Sequence, residues 1–264
     1  MSLYLNANLA AMDAHRNLSN TQDALSASMQ RLSSGLRISS AADDAAGYTI
    51  SQNLTTQING VHQAQQNAQD GVSLIQTANG SLGEVVQMLQ RIRELAVQYQ
   101  NGTLSSTDQT AIVTEANQLA SEIERIGSTA QFNGIFLLSQ TQTITFQVGA
   151  NSGESISVST ISLGQSVGTI SLGSSSVLAS LDASINAVAG QNDTFGAVQN
   201  RLQYTMTNLS TYEENLTASN SRIVDVDMAS EMTKFTGLQI LQQAGTSILS
   251  QANHLPQSLL TLLQ

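Results

Sequence analysis

The sequence predicts a mainly α fold: long helices from both chain ends forming an antiparallel coiled-coil-like bundle, with a small β-hairpin in the middle. Three observations point there. Apolar residues recur at alternating spacings of three and four over most of the 264 residues, which is the period of one helix face. Tryptophan and cysteine are absent and aromatics make up only 4% of the chain, so the core is built from Leu, Ile, Val and Ala layers that suit packed helices. The period switches to two only between residues 141 and 173.

Taken in order, Leu18, Leu25 and Leu32 fall seven apart, with Met29 and Leu36 on the neighbouring ridge, so residues 5–34 read as a first helix. Its apolar seam is thin. Such a helix depends on a partner surface, because helices in water gain most of their stability from tertiary packing. Ile58, Val61, Ala68, Val72, Ile75, Leu82, Val86 and Leu89 mark a second helix, and Ile112, Ala116, Leu119, Ile123 and Ile126 a third. Ile144, Phe146 and Val148, a turn at Gly149–Gly153, then Ile156 and Val158 spell a hairpin. The Gly- and Ser-rich stretch 163–176 reads as a loop.

Helix resumes near Leu178, Leu181, Ile185 and Val188, and Phe195, Val198, Leu202, Thr205, Leu209, Tyr212, Leu216, Ser219, Ile223 and Val226 mark another long helix. The last segment carries the clearest stripe: Leu238, Leu241, Gly245, Ile248, Ala252, Leu255, Leu259 and Leu262. Pro256 interrupts it, and a kink or local break is expected there.

Charge is distributed unevenly. Residues 1–40 and 227–264 together are neutral, whereas 41–226 hold five Arg against fifteen carboxylates and so carry the whole net −10. Ends that are packed away and a middle that faces water would give this pattern. A nucleic-acid partner is disfavoured, since phosphate neutralisation needs clustered cations and the chain has one lysine, Lys234. No run approaches the length of a membrane span, and no cationic start precedes an apolar run, so neither a membrane partner nor cleaved-signal export is expected.

Catalytic constellations are missing. His15, His62 and His254 share no metal-ligand spacing, and no G-x-S-x-G, H-E-x-x-H or phosphate-binding glycine loop occurs. No cofactor or metal is expected, and the chain reads as a non-enzyme. Asp43 and Asp44 project from different faces of any regular element, so capping or salt bridging is expected of them rather than catalysis. Asp225 and Asp227 precede the last helix and suit its free N–H groups. The Asn-x-Ser/Thr matches at Asn53 and Asn101 carry no weight in so Asn-, Ser- and Thr-rich a chain.

The segment RLSSGLRISSAADDAAGYTIS, residues 31–51, resembles the signature that follows the first helix of bacterial flagellins. QRIRELAVQ at 90–98, QFNG at 131–134, GAVQNRL at 196–202, SRIVDVDMASE at 221–231 and QILQQAGTSILSQAN at 239–253 are similar to the same family. Both ends and most of the middle are covered. Hook-filament junction proteins share the helical-ends architecture, but SSGLRISSAADDAAG and LPQSLLTLLQ look like flagellin.

The resemblance implies an inner domain of residues 1–41 plus 227–264, then a rod-like helical domain of 42–226 with its hairpin near 141–160. It implies a short form without variable outer domains, a homopolymeric filament for swimming, and type III export as unfolded monomers. A flagellar export chaperone, cap and hook-filament junction proteins are the implied partners. The animal Toll-like receptor that senses flagellin is a further one, through Arg91, Leu95 and Glu115. Self-assembly is assigned to Leu18, Leu25, Leu32, Ile248, Leu255, Leu259 and Leu262. The C-terminal stripe, Ala252 included, is expected to be buried only after assembly, from ends that lack order in the monomer.

Overall fold

The computed structural model describes residues 8–164 and 171–262, with side chains up to His254. Among the described residues the helical periodicities become five long helices, α1 (Leu9–Ser34), α2 (Ala45–Tyr99), α3 (Ser106–Thr129), α4 (Val177–Val224) and α5 (Met228–Leu262). Between α3 and α4 lie two separate antiparallel hairpins, β1 (Gln131–Phe132) with β2 (Ile135–Phe136) and β3 (Thr143–Gln147) with β4 (Ser155–Ser159). The fold class and the second hairpin agree with the sequence reading. The first hairpin was not foreseen, although Asn133-Gly134 is the usual signal for a two-residue turn. Both residues take positive φ there, 48° and 79°.

Helix starts follow their caps. Asn8 accepts from the Ala11 N–H at 3.1 Å and opens α1. Asp44 accepts from the Ala46 and Gly47 N–H groups at 3.1 and 3.0 Å and opens α2. Ser105 and Asp108 form a reciprocal capping box on α3. Asp227 accepts from the Ala229 and Ser230 N–H groups and opens α5. Gly35 ends α1 with a left-handed φ of 72°, its N–H returning to the Arg31 carbonyl. The break expected at Pro256 is not found, since α5 continues as helix to Leu262. One proline removes one N–H donor but leaves the ladder on either side in place.

The chain divides into two compact units, residues 1–56 with 216–264, and residues 57–215. The second unit holds a continuous core. Val61, Ala68, Ile75, Leu82, Val85, Leu89 and Ile92 from α2 have no accessible surface. From Ala68 onward they belong to a core shared with Ile112 and Ile123 from α3, Phe146 and Val158 from the β3–β4 hairpin, and Phe195 and Leu202 from α4. Val85, rather than the expected Val86, takes the fully buried position.

The hairpin reaches α2 where side chains are missing. A Cβ at Gly71 would stand 3.0 Å from Phe146 and 3.1 Å from Leu202, and one at Gly60 only 2.8 Å from Ala150. Asn67 donates to the Gln147 carbonyl at 3.0 Å beside these notches. Arg93–Asp182 at 2.6 Å and Gln65–Glu213 at 2.9 Å tie α2 to α4.

Candidate self-assembly surface

In the first unit α1 and α5 pack on each other in opposite directions. Asn8 donates to the Ala252 carbonyl at 2.8 Å near one end, and Leu18 lies 3.2 Å from the position of a Cβ on Gly245. Near the other end the segments joining the helices pair: Val226 N–H donates to Gly35 O at 3.0 Å and Arg37 N–H to Val224 O at 2.6 Å. The antiparallel pair follows from these four positions.

The facing residues form a seam with heptad spacing. On α1 they are Ala11, Ala14, Leu18, Thr21, Leu25, Ser28 and Leu32, and on α5 Glu231, Phe235, Leu238, Gln242, Gly245, Leu249 and Ala252. Leu18, Leu25 and Leu32 are therefore half-buried between the two helices. Small and polar residues occupy much of the seam, so it buries little apolar area for its length.

The C-terminal stripe read from the sequence turns out to be two ridges. Leu238, Gly245 and Ala252, seven apart, face α1, and Ala252 is already buried in the single chain. Its expected burial on assembly alone is corrected on that point: an alanine on the inner ridge needs no second copy. Leu241 and Ile248 sit on the outer ridge, each 58% exposed. They line a cavity of about 170 Å³ with Asn17, Leu18, Thr21, Ala244 and Gly245. By spacing alone, Leu255 and Leu262 continue the outer series and Leu259 the inner one; the side chains of all three lie outside the described residues.

More apolar surface surrounds this ridge. Leu9, Met12 and Met29 on α1, and Met228, Met232 and Ile240 on α5, are about half to two-thirds exposed. Polar atoms are also left over. Four buried side-chain oxygens among the described residues have no hydrogen-bond partner, and three of them, on Ser28, Asn220 and Glu231, lie in this unit. Glu231 is 8% exposed, and the Lys234 ammonium stands 3.8 Å off, beyond hydrogen-bond reach. Orphaned buried polar atoms are rare enough in finished interfaces to require an account.

The residues assigned to receptor recognition are distributed differently. Arg91 is exposed and pairs with Glu115 at 2.8 Å and Glu94 at 3.1 Å, bridging α2 to α3. Those hydrogen bonds, Glu115 first, hold its guanidinium more firmly protonated than usual. Leu95 is 1% exposed within the core. It lies on the helix face that packs inward, while Arg91 and Glu115 are exposed at the surface.

Of the four aspartates, Asp44 and Asp227 cap helices, whereas Asp225 accepts from the Ser221 hydroxyl at 2.6 Å and Asp43 holds the loop before α2. Asp43 accepts from the backbone and hydroxyl groups of Ser39 and Ser40 at 3.1–3.2 Å. Those donors, the Ser39 N–H first, hold its carboxyl below the ordinary 3.8. Among the described residues no group of three or more His, Cys, Asp or Glu is placed to hold a metal ion, and no helix is long and apolar enough to cross a membrane.

Comparison with known proteins meets this geometry at both ends. The bacterial flagellin N-terminal helical region matches residues 5–143, and the C-terminal helical region matches residues 178–263. A flagellin of Halalkalibacterium halodurans is 47% identical over 99% of this chain and all of its own length. The flagellin of Bacillus subtilis is 41% identical over 98% and 99%, and the flagellar filament 33 kDa core protein of Treponema phagedenis 41% over 99% and 100%. The crystal structure of Bacillus cereus flagellin superposes with a TM-score of 0.51 at 32% identity, covering 55% of this chain and 88% of that one. Matched along nearly its whole length by such relatives, the chain belongs to the bacterial flagellin family.

Proposed function

We infer that the chain is a structural subunit of the bacterial flagellar filament and that copies add to one another through the outer ridge of the terminal helix pair. It is a building block of an extracellular propeller and not an enzyme. The observation that carries the assembly surface is the contrast at α5, where Leu241 and Ile248 stay exposed beside a groove while the inner ridge is covered by α1. Burying a large aliphatic side chain fully contributes about 1.5–3 kcal/mol, so a handful repeated at every subunit is enough to drive a polymer.

Ordering entropy opposes the same step. The seam between α1 and α5 is thin enough that a second copy is needed to hold the pair firmly, which keeps the exported monomer from associating early. Leu18, Leu25 and Leu32, with Leu259 continuing the inner series by spacing, serve as the inner support of this surface, and Ile248, with Leu255 and Leu262, as its apolar content. Ile248→Asp and Leu255→Asp should abolish sedimentable filaments while circular dichroism of the monomer stays near that of the parent. Filaments of normal length from both variants would defeat this assignment.

Other partners follow from the family: an export chaperone for the C-terminal segment, the cap complex at the growing tip and hook-filament junction proteins at the base. Recognition by the animal flagellin receptor is proposed through Arg91 and Glu115, with Leu95 supporting the helix from within. Arg91→Ala with Glu115→Ala is the informative variant, because Leu95→Ala would open a core cavity and confuse lost contact with lost fold. Unchanged receptor affinity in that double variant would remove the assignment.

A further inference from the structure

We propose that Asn101 is a site of spontaneous covalent modification, losing its side-chain amide to give aspartate or isoaspartate in the connection between α2 and α3. The chain contains four Asn-Gly pairs, at 59–60, 79–80, 101–102 and 133–134. Glycine favours this chemistry because no Cβ hinders the approach of its backbone nitrogen. That nitrogen, after giving its proton to solvent base, attacks the asparagine Cγ. A carbon–nitrogen bond forms, the bond to the side-chain nitrogen breaks, and ammonia leaves after taking up a proton. Water then opens the five-membered imide at either carbonyl. Water is the only co-reactant, and the net change is amide plus water to carboxylic acid plus ammonia.

The fold separates the four pairs. Asn59 and Asn79 lie inside α2, where the following N–H is committed to the helical ladder and the backbone must open before the ring can close. Asn133 and Gly134 are held at positive φ in the β1–β2 turn, with Phe132 and Ile135 paired on either side. Asn151, followed by Ser152 in another loop, is clamped by Glu154, which accepts from its side-chain amide at 3.1 Å and its backbone N–H at 2.9 Å.

Asn101 is held more loosely: its N–H donates to the Gln98 carbonyl at 3.0 Å and its carbonyl accepts from the Leu104 N–H at 3.3 Å, but neither bond engages the attacking nitrogen of Gly102. It is exposed, outside helix and strand, and no heavy atom lies within 4 Å of the space a Cβ on Gly102 would fill. The Gly102 N–H makes no hydrogen bond among the described residues. The Thr103 N–H donates to Asn101 Oδ1 at 3.3 Å. That donor draws electron density from the carbonyl under attack and stabilises the oxyanion of the tetrahedral intermediate. The product places a new carboxylate four residues before the Ser105–Asp108 capping box, and the isoaspartyl form adds a backbone carbon to the turn.

The test uses full-length protein, as monomer and as filament, aged in mildly alkaline buffer and sampled by peptide mass mapping with isoaspartate detection. Asn101 should convert first, at least about tenfold faster than each of the other three pairs, a ratio that corresponds to about 1.4 kcal/mol of local opening. Gly102→Ala, at a position with open space and no positive φ, should slow it. In chemically unfolded chain the four rates should converge. Equal rates in the folded protein, a lead by Asn59, Asn79 or Asn133, or the same ranking after unfolding would overturn the proposal.

Discussion

Residues 57–215 close a continuous core within one copy of the chain, whereas the described part of residues 1–56 and 216–264 leaves Leu9, Met12, Met29, Ile240, Leu241 and Ile248 more than half exposed. Both units are made of helices with the same three-and-four spacing. The difference lies in what the helices meet. In the larger unit α2 is covered by α3, α4 and a β-hairpin, so its stripe has no accessible surface. In the terminal unit α5 finds α1 alone, and two helices can cover only one side of each other. An amphipathic pattern announces that a face will be buried; it does not say whether the partner belongs to the same copy of the chain.

The largest expected effect contrasts the two units directly. Leu82→Ala should cost the larger unit about 2–5 kcal/mol in thermal or denaturant unfolding, the range for a leucine truncated in a filled core. Ile248→Ala should change monomer stability by no more than about 0.5 kcal/mol, as a surface substitution does, while lowering filament melting. Similar losses in the monomer at both positions would break the comparison.

Glu231→Leu tests the orphaned carboxylate. Replacing a largely buried side chain whose Oε1 has no hydrogen bond and only the Lys234 ammonium at 3.8 Å should make the α1–α5 pair more stable by about 1–3 kcal/mol in the monomer, read as slower proteolysis of both ends. If a neighbouring subunit satisfies that oxygen, the same variant weakens the filament. Faster cleavage of the monomer would show that Glu231 is already well served within one chain.

Gly71→Ala acts where the hairpin enters α2. The new methyl would meet Phe146 at 3.0 Å and Leu202 at 3.1 Å, so overpacking should cost about 1–3 kcal/mol despite the better helix propensity of alanine. A stabilised variant would mean that the hairpin can shift to make room.

The smallest effect is pH-dependent and belongs to the terminal unit. Asp43 titrates below its unfolded value because the folded state supplies donors from Ser39 and Ser40. Its contribution is therefore complete above the unfolded value near 3.8 and is lost as pH falls through the lower folded value. Asp43→Asn should remove that acid-dependent part of the unfolding midpoint and leave the rest of the pH profile unchanged.

Much of this was legible in the sequence. The helical stripes, the β3–β4 hairpin and the capping roles of Asp44 and Asp227 follow from spacing and residue type, and the family from SSGLRISSAADDAAG with its C-terminal counterparts. The division of the α5 stripe was not. Spacings of three and four produce two ridges seven residues apart, and only the position of α1 decides that Leu238 and Ala252 are inner while Leu241 and Ile248 are outer. The burial of Leu95 was not legible either, since a motif match identifies a residue but not the side of the helix it occupies. The β1–β2 hairpin escaped notice because two-residue strands are too short to show alternation, although Asn133-Gly134 was in view.

Hydrogen exchange on dilute monomer and on filament tests the central contrast most directly. Amides of α2 from 57 to 99 should be strongly protected in both states. Those of α1 from Leu9 to Ser34 and of α5 from Met228 to His254 should exchange close to the unprotected rate in the monomer and become slow only in the filament. Equal protection of the terminal helices in the two states would contradict the account, because the α1–α5 seam would then be sufficient by itself and the outer ridge would not be needed to hold it.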